Sequence, residues 1–417
     1  MKKIYLDYAS STLIDAKVLQ EMMPYLKKEF GNPSSTHGFG QKARAAVEKA
    51  REKVAKFLNC APLEVIFTSG ATEANNFAIQ GIARKFEIRN SKSETNTKYK
   101  IQNTKSHVII SQIEHESMLF PCQELERQGL AEVTYVGVDS EGIVRVEEIE
   151  KALKENTALV SIMYANSEIG TIEPIAEIGE MLRKFEIRNS KSEINPKSKI
   201  QNTKILFHTD AVQAAQFLDC DVKKLGVDLL TLSGHKIYAP KGVGVLYVKE
   251  GVMCNPLLLG GGQEQGFRSG TENVASIVGM GRAIEEIQNP RTNLTNIKIR
   301  QLRDKFIKEV LRKIPESSLA GSKQKRLPNN GYFLFKGIEN RALAMALDQK
   351  GIAVSTGSAC SEKTQEPSHV ILALGVSFED AMSGLRVTFG KYTTVEEIEK
   401  ATAVLVAVVA QLRKNRV

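Results

Sequence analysis

Lys236 stands where a lysine is badly placed for a core and well placed for chemistry. The stretch Leu229-Leu-Thr-Leu-Ser-Gly-His-Lys236-Ile-Tyr-Ala-Pro-Lys-Gly-Val-Gly244 opens as an apolar run of strand character. It closes in Pro240 and glycines, the composition of a turn. Ser233, His235 and Lys236 therefore gather at the mouth of a strand, and open α/β sheets bind ligands beyond the carboxyl ends of their strands. A lone lysine on a loop is ordinarily a solvated surface group. The case changes upstream, where Ile205-Leu-Phe-His-Thr-Asp210-Ala-Val-Gln213 is a second strand ending in a carboxylate.

A desolvated lysine amine can condense with a carbonyl. A lysine and a buried aspartate are together what pyridoxal phosphate needs. The lysine holds the cofactor aldehyde, and the carboxylate pairs with the protonated ring nitrogen. The two stretches, Asp-Ala-Val-Gln and Ser-Gly-His-Lys, resemble the class V branch of the fold-type-I pyridoxal-phosphate enzymes, and specifically the cysteine desulfurases. The resemblance covers nearly the whole chain apart from two insertions. It implies an α/β fold, with a mostly parallel seven-stranded sheet flanked by helices and a smaller α+β domain. It assigns Asp210, Gln213, Ser233, His235 and Lys236 to the cofactor.

Further stretches carry the same resemblance. Val65-Ile-Phe-Thr68 followed by Ser69-Gly-Ala-Thr-Glu73 is strand, glycine turn and helix, an order that points backbone N–H groups at an anion. The family match makes Ala71 and Thr72 a phosphate cradle. In Ser111-Gln-Ile-Glu-His115 the resemblance implies that His115 stacks on the cofactor ring and moves protons, a task an imidazole suits near neutral pH. In Tyr164-Ala-Asn166-Ser167 the family usually shows two adjacent asparagines, the second bonding the ring's phenolic oxygen. Here Ser167 takes the second place, so either Asn166 takes over or the bond lengthens. At Arg268-Ser-Gly-Thr271 the resemblance implies that Thr271 crosses a dimer interface to the phosphate of the other subunit.

Cys360 lies in Val354-Ser-Thr-Gly-Ser-Ala-Cys360-Ser-Glu-Lys-Thr, among small polar residues instead of the apolar neighbours of a structural cysteine. An exposed thiol there can become a thiolate nucleophile, and the family's Gly-Ser-Ala-Cys pattern points the same way. Arg386, in Ser383-Gly-Leu-Arg386-Val-Thr-Phe, suits bidentate capture of an amino-acid carboxylate, with Asn166 beside it.

The elements that must position these residues alternate. Strands are expected at 4–8, 65–68, 107–111, 133–136, 159–163, 206–208, 229–232 and 244–248. Helices are expected at 16–29, 41–58, 117–128, 146–155 and 175–186. Alternation of this kind argues a mostly parallel sheet covered on both faces. Later, helices at 274–288, 296–313 and 394–413 mix with short strands at 332–335 and 385–389. This divides the chain into a cofactor-binding domain, 16–273, and a small domain of 1–15 with 274–417 that carries the Cys360 loop.

At 417 residues the chain can bury a large core. Nothing at the start resembles a secretory leader, and no apolar run is long enough to span a membrane. Five widely spaced cysteines without a CxxC pair argue against a metal site or disulfide framework and for a reducing cytoplasm. The net charge of +9 has a local source. Residues 84–105 and 183–204 match at 19 of 22 positions, and each carries seven Lys/Arg and two Glu, 7 − 2 = +5. Without both, 9 − 10 = −1 remains, so no nucleic-acid partner is expected. These polar insertions, near 84–106 and 183–204, are expected to be surface connections from helix to strand.

The expected activity is conversion of L-cysteine to L-alanine, with Lys236, His115 and Cys360 catalytic and the sulfur held as a persulfide on Cys360. A homodimer is implied, with an iron–sulfur scaffold or another sulfur-acceptor protein receiving the sulfur. A selenocysteine lyase, a class V aminotransferase and a non-catalytic sulfur-delivery scaffold are the alternatives.

Overall fold

The computed structural model describes residues 3–92, 105–192, 204–357 and 366–414. After a two-residue strand β1 (Ile4–Tyr5), seven strands build one sheet. They are β2 (Val65–Thr68), β3 (Ser106–Ser111), β4 (Ala131–Val136), β5 (Thr157–Ser161), β6 (Leu206–Asp210), β7 (Leu229–Ser233) and β8 (Gly244–Val248). Their order is β2-β8-β7-β6-β5-β3-β4. β8 alone runs opposite to the other six strands.

Both faces of the sheet are dry. Phe67, Ile109, Val160, Phe207 and Leu230 share one apolar cluster with α2 (Gly38–Leu58), α6 (Ile175–Ser192) and α8 (Val274–Gln288). Their chain neighbours Ile66, Val108, Leu159, Leu206 and Leu229 share another with α3 (Ala71–Lys92) and α4 (Glu116–Arg127). Successive strand residues face opposite ways, so a sheet buried on both sides needs unbroken apolar runs. That is why the strands read as runs in the sequence.

A three-stranded antiparallel sheet, Gly384–Thr388 beside Asn330–Phe335 beside Ser317–Leu319, forms a separate centre. Its apolar cluster gathers Phe306, Phe333, Phe335, Leu385 and Leu405, and it takes in Ile4 and Leu6 from the start of the chain. β1 pairs in parallel with Ile352–Ala353.

The structure shifts several expected boundaries. Ile277, Met280 and Ile284 of α8 pack in the large cluster, on α2 and on the helix Ala16–Lys27. Leu327, further along the chain, joins the same cluster. The next helix begins at Pro290, not 296, because Asn289 caps it and proline suits its first position. Its first turn is polar, so apolar spacing could not mark it.

The insertions are not wholly loops. α3 runs on to Lys92 and α6 to Ser192, so each repeat begins as helix. In the second copy Phe185 packs against the core, Glu186 accepts the Ile205 N–H at 2.9 Å, and Arg188 pairs with Glu150 at 2.5 Å. The later part of each repeat lies outside the described residues.

One buried ion pair anchors the edge strand. Arg51 grips Glu264 at 2.7 and 2.8 Å and also donates to the Val65 carbonyl, while Glu264 accepts the Phe67 N–H at 2.8 Å. Both side chains are almost fully buried. Removing one partner of such a pair strands a charge out of water. Arg51→Ala is expected to cost about 3–5 kcal/mol in urea unfolding; a loss below about 1 kcal/mol, the scale of a surface pair, would contradict this.

Candidate active site

A cavity of about 560 Å³ opens beyond the carboxyl ends of β6 and β7. Asp210 closes β6 and Ser233 closes β7, and the turn after β7 delivers His235 and Lys236. Ala71, Thr72, His115, Ser167, Gln213 and Arg386 complete the set of expected residues that line it.

Asp210 is 7% exposed. Its carboxylate accepts the Val212 N–H at 3.0 Å and Asn75 Nδ2 at 2.8 Å. Lys236 Nζ donates to the carbonyls of Ala9 and Ser10 at 2.6 and 2.8 Å. Gln213 donates to the Ala9 carbonyl at 3.1 Å. Burial, with Lys236 and Lys241 nearby, holds His235 down at about 4, so its ring is neutral.

The residues present fit pyridoxal phosphate. α3 starts at Ala71, after a glycine that offers no capping side chain. Its first amides therefore have no partner within the helix and present positive charge to the cavity, as a phosphate requires. Asp210 supplies a desolvated carboxylate for a ring N–H, and Lys236 supplies an amine across the same space. The phosphate end would sit on Ala71 and Thr72, with Ser233 and His235 beside it.

Other expected residues are elsewhere. Asn166 does not line the cavity. Its Nδ2 donates to the Ile113 carbonyl at 3.0 Å, and its Oδ1 accepts the N–H groups of Glu168 and Ile169 at 2.8 and 3.0 Å. An amide so committed closes the loop that carries Ser167. Ser167 holds the cavity position, and its carbonyl accepts Arg386 Nη1 at 2.9 Å. Thr271 is exposed and outside this chain's cavity. Cys360 lies outside the described residues.

Arg386 is buried. Nη2 donates to Asp7 at 2.9 Å, and Nε has no partner among the described residues. Sequence reasoning missed Asp7, Asn75 and Ser117. Asn75 stands four residues after Ala71, on the same helical face, which is the one signal that could have found it.

Of the five cysteines, Cys60, Cys122 and Cys220 are poor nucleophiles. Burial pushes Cys60 up to about 12 and drives Cys122 and Cys220 upward as well. Cys254 is also buried, donating to the Phe77 carbonyl. Among the described residues no cluster of three or more His, Cys, Asp or Glu is placed to hold a metal, and no helix is long and apolar enough to cross a membrane.

The profile of the family Aminotransferase class-V matches residues 4–189 and 191–401. The chain is similar to the cysteine desulfurase IscS of Dictyoglomus turgidum, 43% identical over 416 residues, 99% of this chain and 96% of the relative. It is likewise similar to the cysteine desulfurase IscS of Clostridium botulinum, 44% identical over 415 residues, 99% and 96% of the two chains. Among solved structures, a NifS-like protein superposes with a TM-score of 0.85 at 35% identity, over 98% of this chain and all of the other. SspA in complex with cysteine superposes with a TM-score of 0.75 at 34% identity, over 94% of this chain and 100% of the other.

Glu114, the neighbour of His115, is fully buried. Oε1 accepts Ser111 Oγ–H and the Met163 N–H, while Oε2 has no described partner. Burial, reinforced by Asp210 and Glu173, pushes it up to about 8, so it carries a proton at neutral pH. A carboxyl raised in the folded state stabilises most below its unfolded value near 4.3, and that stability is lost as pH rises through 8. Wild type is therefore expected to lose stability between pH 5 and 8 relative to Glu114→Gln, a neutral isostere. Urea midpoints of both at the two pH values check it; parallel midpoints would contradict it.

Proposed function

The chain belongs to the class V aminotransferase family and to its cysteine desulfurases, and from that premise we propose how its own residues remove sulfur from L-cysteine. It is a pyridoxal-phosphate-dependent enzyme. The observation that supports the site assignment is that Lys236, Asp210 and the start of α3 line one cavity.

Pyridoxal phosphate, when bound, supplies the electron sink that loosens the substrate's carbon–sulfur bond. Lys236 is the amine that would hold its aldehyde carbon, and Asp210 the carboxylate that would keep its ring nitrogen protonated. Arg386, held by Asp7 and the Ser167 carbonyl, offers its buried guanidinium to the substrate carboxylate. His115 moves protons at the substrate from the cavity wall. Cys360 thiolate attacks the substrate sulfur. A sulfur–sulfur bond forms, the carbon–sulfur bond breaks, and a proton completes the methyl group of L-alanine. The burial of Cys122, Cys220 and Cys254, and the raised proton affinity of the half-buried Cys60, support Cys360 as the acceptor.

The persulfide would then pass its sulfur to an acceptor protein, an iron–sulfur scaffold or another sulfur carrier, in the cytoplasm. We read the working form as a homodimer in which the exposed Thr271 of each subunit reaches the other's phosphate site. Arg268, three residues before it, is tied to Glu73 at 2.9 Å, and Glu73 accepts the Ser69 N–H at 2.9 Å. That loop is thus fixed to the turn that opens α3.

Two variants separate the roles. Lys236→Ala is expected to abolish sulfide release and covalent retention of pyridoxal phosphate after borohydride reduction; release near the wild-type rate would overturn the assignment. Cys360→Ala is expected to keep the bound cofactor and still take up cysteine while sulfur transfer stops. Undiminished transfer would move the nucleophile elsewhere.

A further inference from the structure

His115 does two jobs at once, since it lines the cavity and also caps α4. Its Nδ1 accepts the backbone N–H of Ser117 at 3.1 Å. A backbone amide only donates, so Nδ1 must offer a lone pair. The ring's own proton is then on Nε2. Ser117 Oγ lies 2.9 Å from the same nitrogen.

The direction of that second bond is set one residue further back. Asn75, fully buried, donates through Nδ2 to Ser117 Oγ at 2.9 Å and to Asp210 at 2.8 Å. A carboxylate accepts and does not donate, so the amide cannot be turned the other way without setting its oxygen against Asp210. With Ser117 Oγ accepting from Asn75, its hydroxyl proton is free to point at His115 Nδ1. Every donor in the set thus has one direction. Asn75 serves Asp210 and Ser117, and Ser117 serves His115.

We propose that Asn75 and Ser117 are positioning residues that lock His115 in the Nε2–H form, so that it enters the reaction as a proton donor. This rests on the reading of the cavity as the desulfurase site. It adds an order of events: His115 must give up the Nε2 proton before that nitrogen can take one from the substrate. It also links the carboxylate that faces the ring nitrogen to the imidazole through one buried amide.

The surroundings act in the same sense. Burial lowers the proton affinity of His115, and Lys236, beyond the end of β7, lowers it further. Asp210 at the end of β6, Glu116 on α4 and Glu168 in the loop after β5 oppose them, with net lowering. An imidazolium would in addition place an Nδ1 proton against the Ser117 N–H.

The test reads the ring directly. The cofactor-loaded full chain is labelled with 15N-histidine, and His115→Gln identifies which of the six histidines' signals belong to His115. The expected wild-type result is a bare Nδ1 and a protonated Nε2 from pH 6 to 8. Asn75→Asp removes both donors and turns the Ser117 hydroxyl away from the ring. His115 should then gain proton affinity about tenfold, a rise of about one pH unit in its titration midpoint. Ser117→Ala should move it the same way by less, and Ser117→Thr should restore the wild-type titration. The variants should shift the acid limb of the rate profile in step.

A neutral wild-type ring protonated on Nδ1, or titrations of Asn75→Asp and Ser117→Ala that match wild type, would overturn the proposal. These outcomes are separable from the enzymatic reading. A chain that releases no sulfide yet shows the Nε2–H ring refutes the activity and not the lock. An active enzyme with an Nδ1–H ring refutes the lock alone.

Discussion

Two opposite charges, Asp210 and Lys236, must be delivered to the same edge of one sheet and kept there largely out of water. Everything else in the molecule serves that constraint. β6 and β7 pair in parallel, so their carboxyl ends emerge side by side. Charges removed from water need hydrogen-bond partners in place, or their burial costs several kcal/mol each. Asp210 has the Asn75 amide and the Val212 N–H, and Lys236 has two carbonyls of the N-terminal segment. The doubly covered sheet supplies the rigidity, because its strands are packed on both faces and cannot slide without exposing apolar side chains.

The N-terminal segment ties the two centres of the molecule together. Ile4 and Leu6 belong to the C-terminal core, and Asp7 holds Arg386. A few residues later the same segment lies on the lysine turn. Thr12 bonds the His235 carbonyl through N–H and Oγ, and the Asp15 N–H donates to the Tyr238 carbonyl at 3.0 Å. Tyr238 sits at a φ of 66°, a left-handed conformation that a bulky residue adopts only when its surroundings over-determine it. Its N–H goes to Thr12 Oγ1, and its ring packs under Lys391. The turn that presents Lys236 is thus held from outside. The Arg386 guanidinium and the turn of Lys236 share one tether.

Much of this was legible in the residues. The apolar runs ending in Asp210 and Lys236 predicted the strands and the edge they reach, since a run buried on both sides has few alternatives. The glycine turn before Ala71 predicted the helix start that lines the cavity. The bonds by which Asn166 closes its loop were not legible. Whether an asparagine faces a cavity or closes its own loop depends on backbone geometry two residues on, which no spacing reveals. The helical continuation into the repeats was hidden by polar composition, and it exists because Phe185 finds the core and Arg188 finds Glu150. Asn75, with only its spacing from Ala71 to mark it, and Ser117, with nothing, were missed because their role is relational. Each is an ordinary helix residue until β6 brings Asp210 beside them. Cys360 and the later half of each repeat lie outside the described residues, so their reading rests on sequence and chemistry.

The central claim is that sulfur leaves L-cysteine onto Cys360 in a site built around Lys236. The most direct measurement mixes the cofactor-loaded protein with L-cysteine in the absence of reductant, blocks all thiols, and maps the added mass by peptide. The account predicts the mass of one extra sulfur atom on the peptide that contains Cys360, appearing with L-alanine in equal amount, and none on the peptides of Cys60, Cys122, Cys220 or Cys254. Alanine formed with the sulfur on another cysteine, or on none, would contradict it.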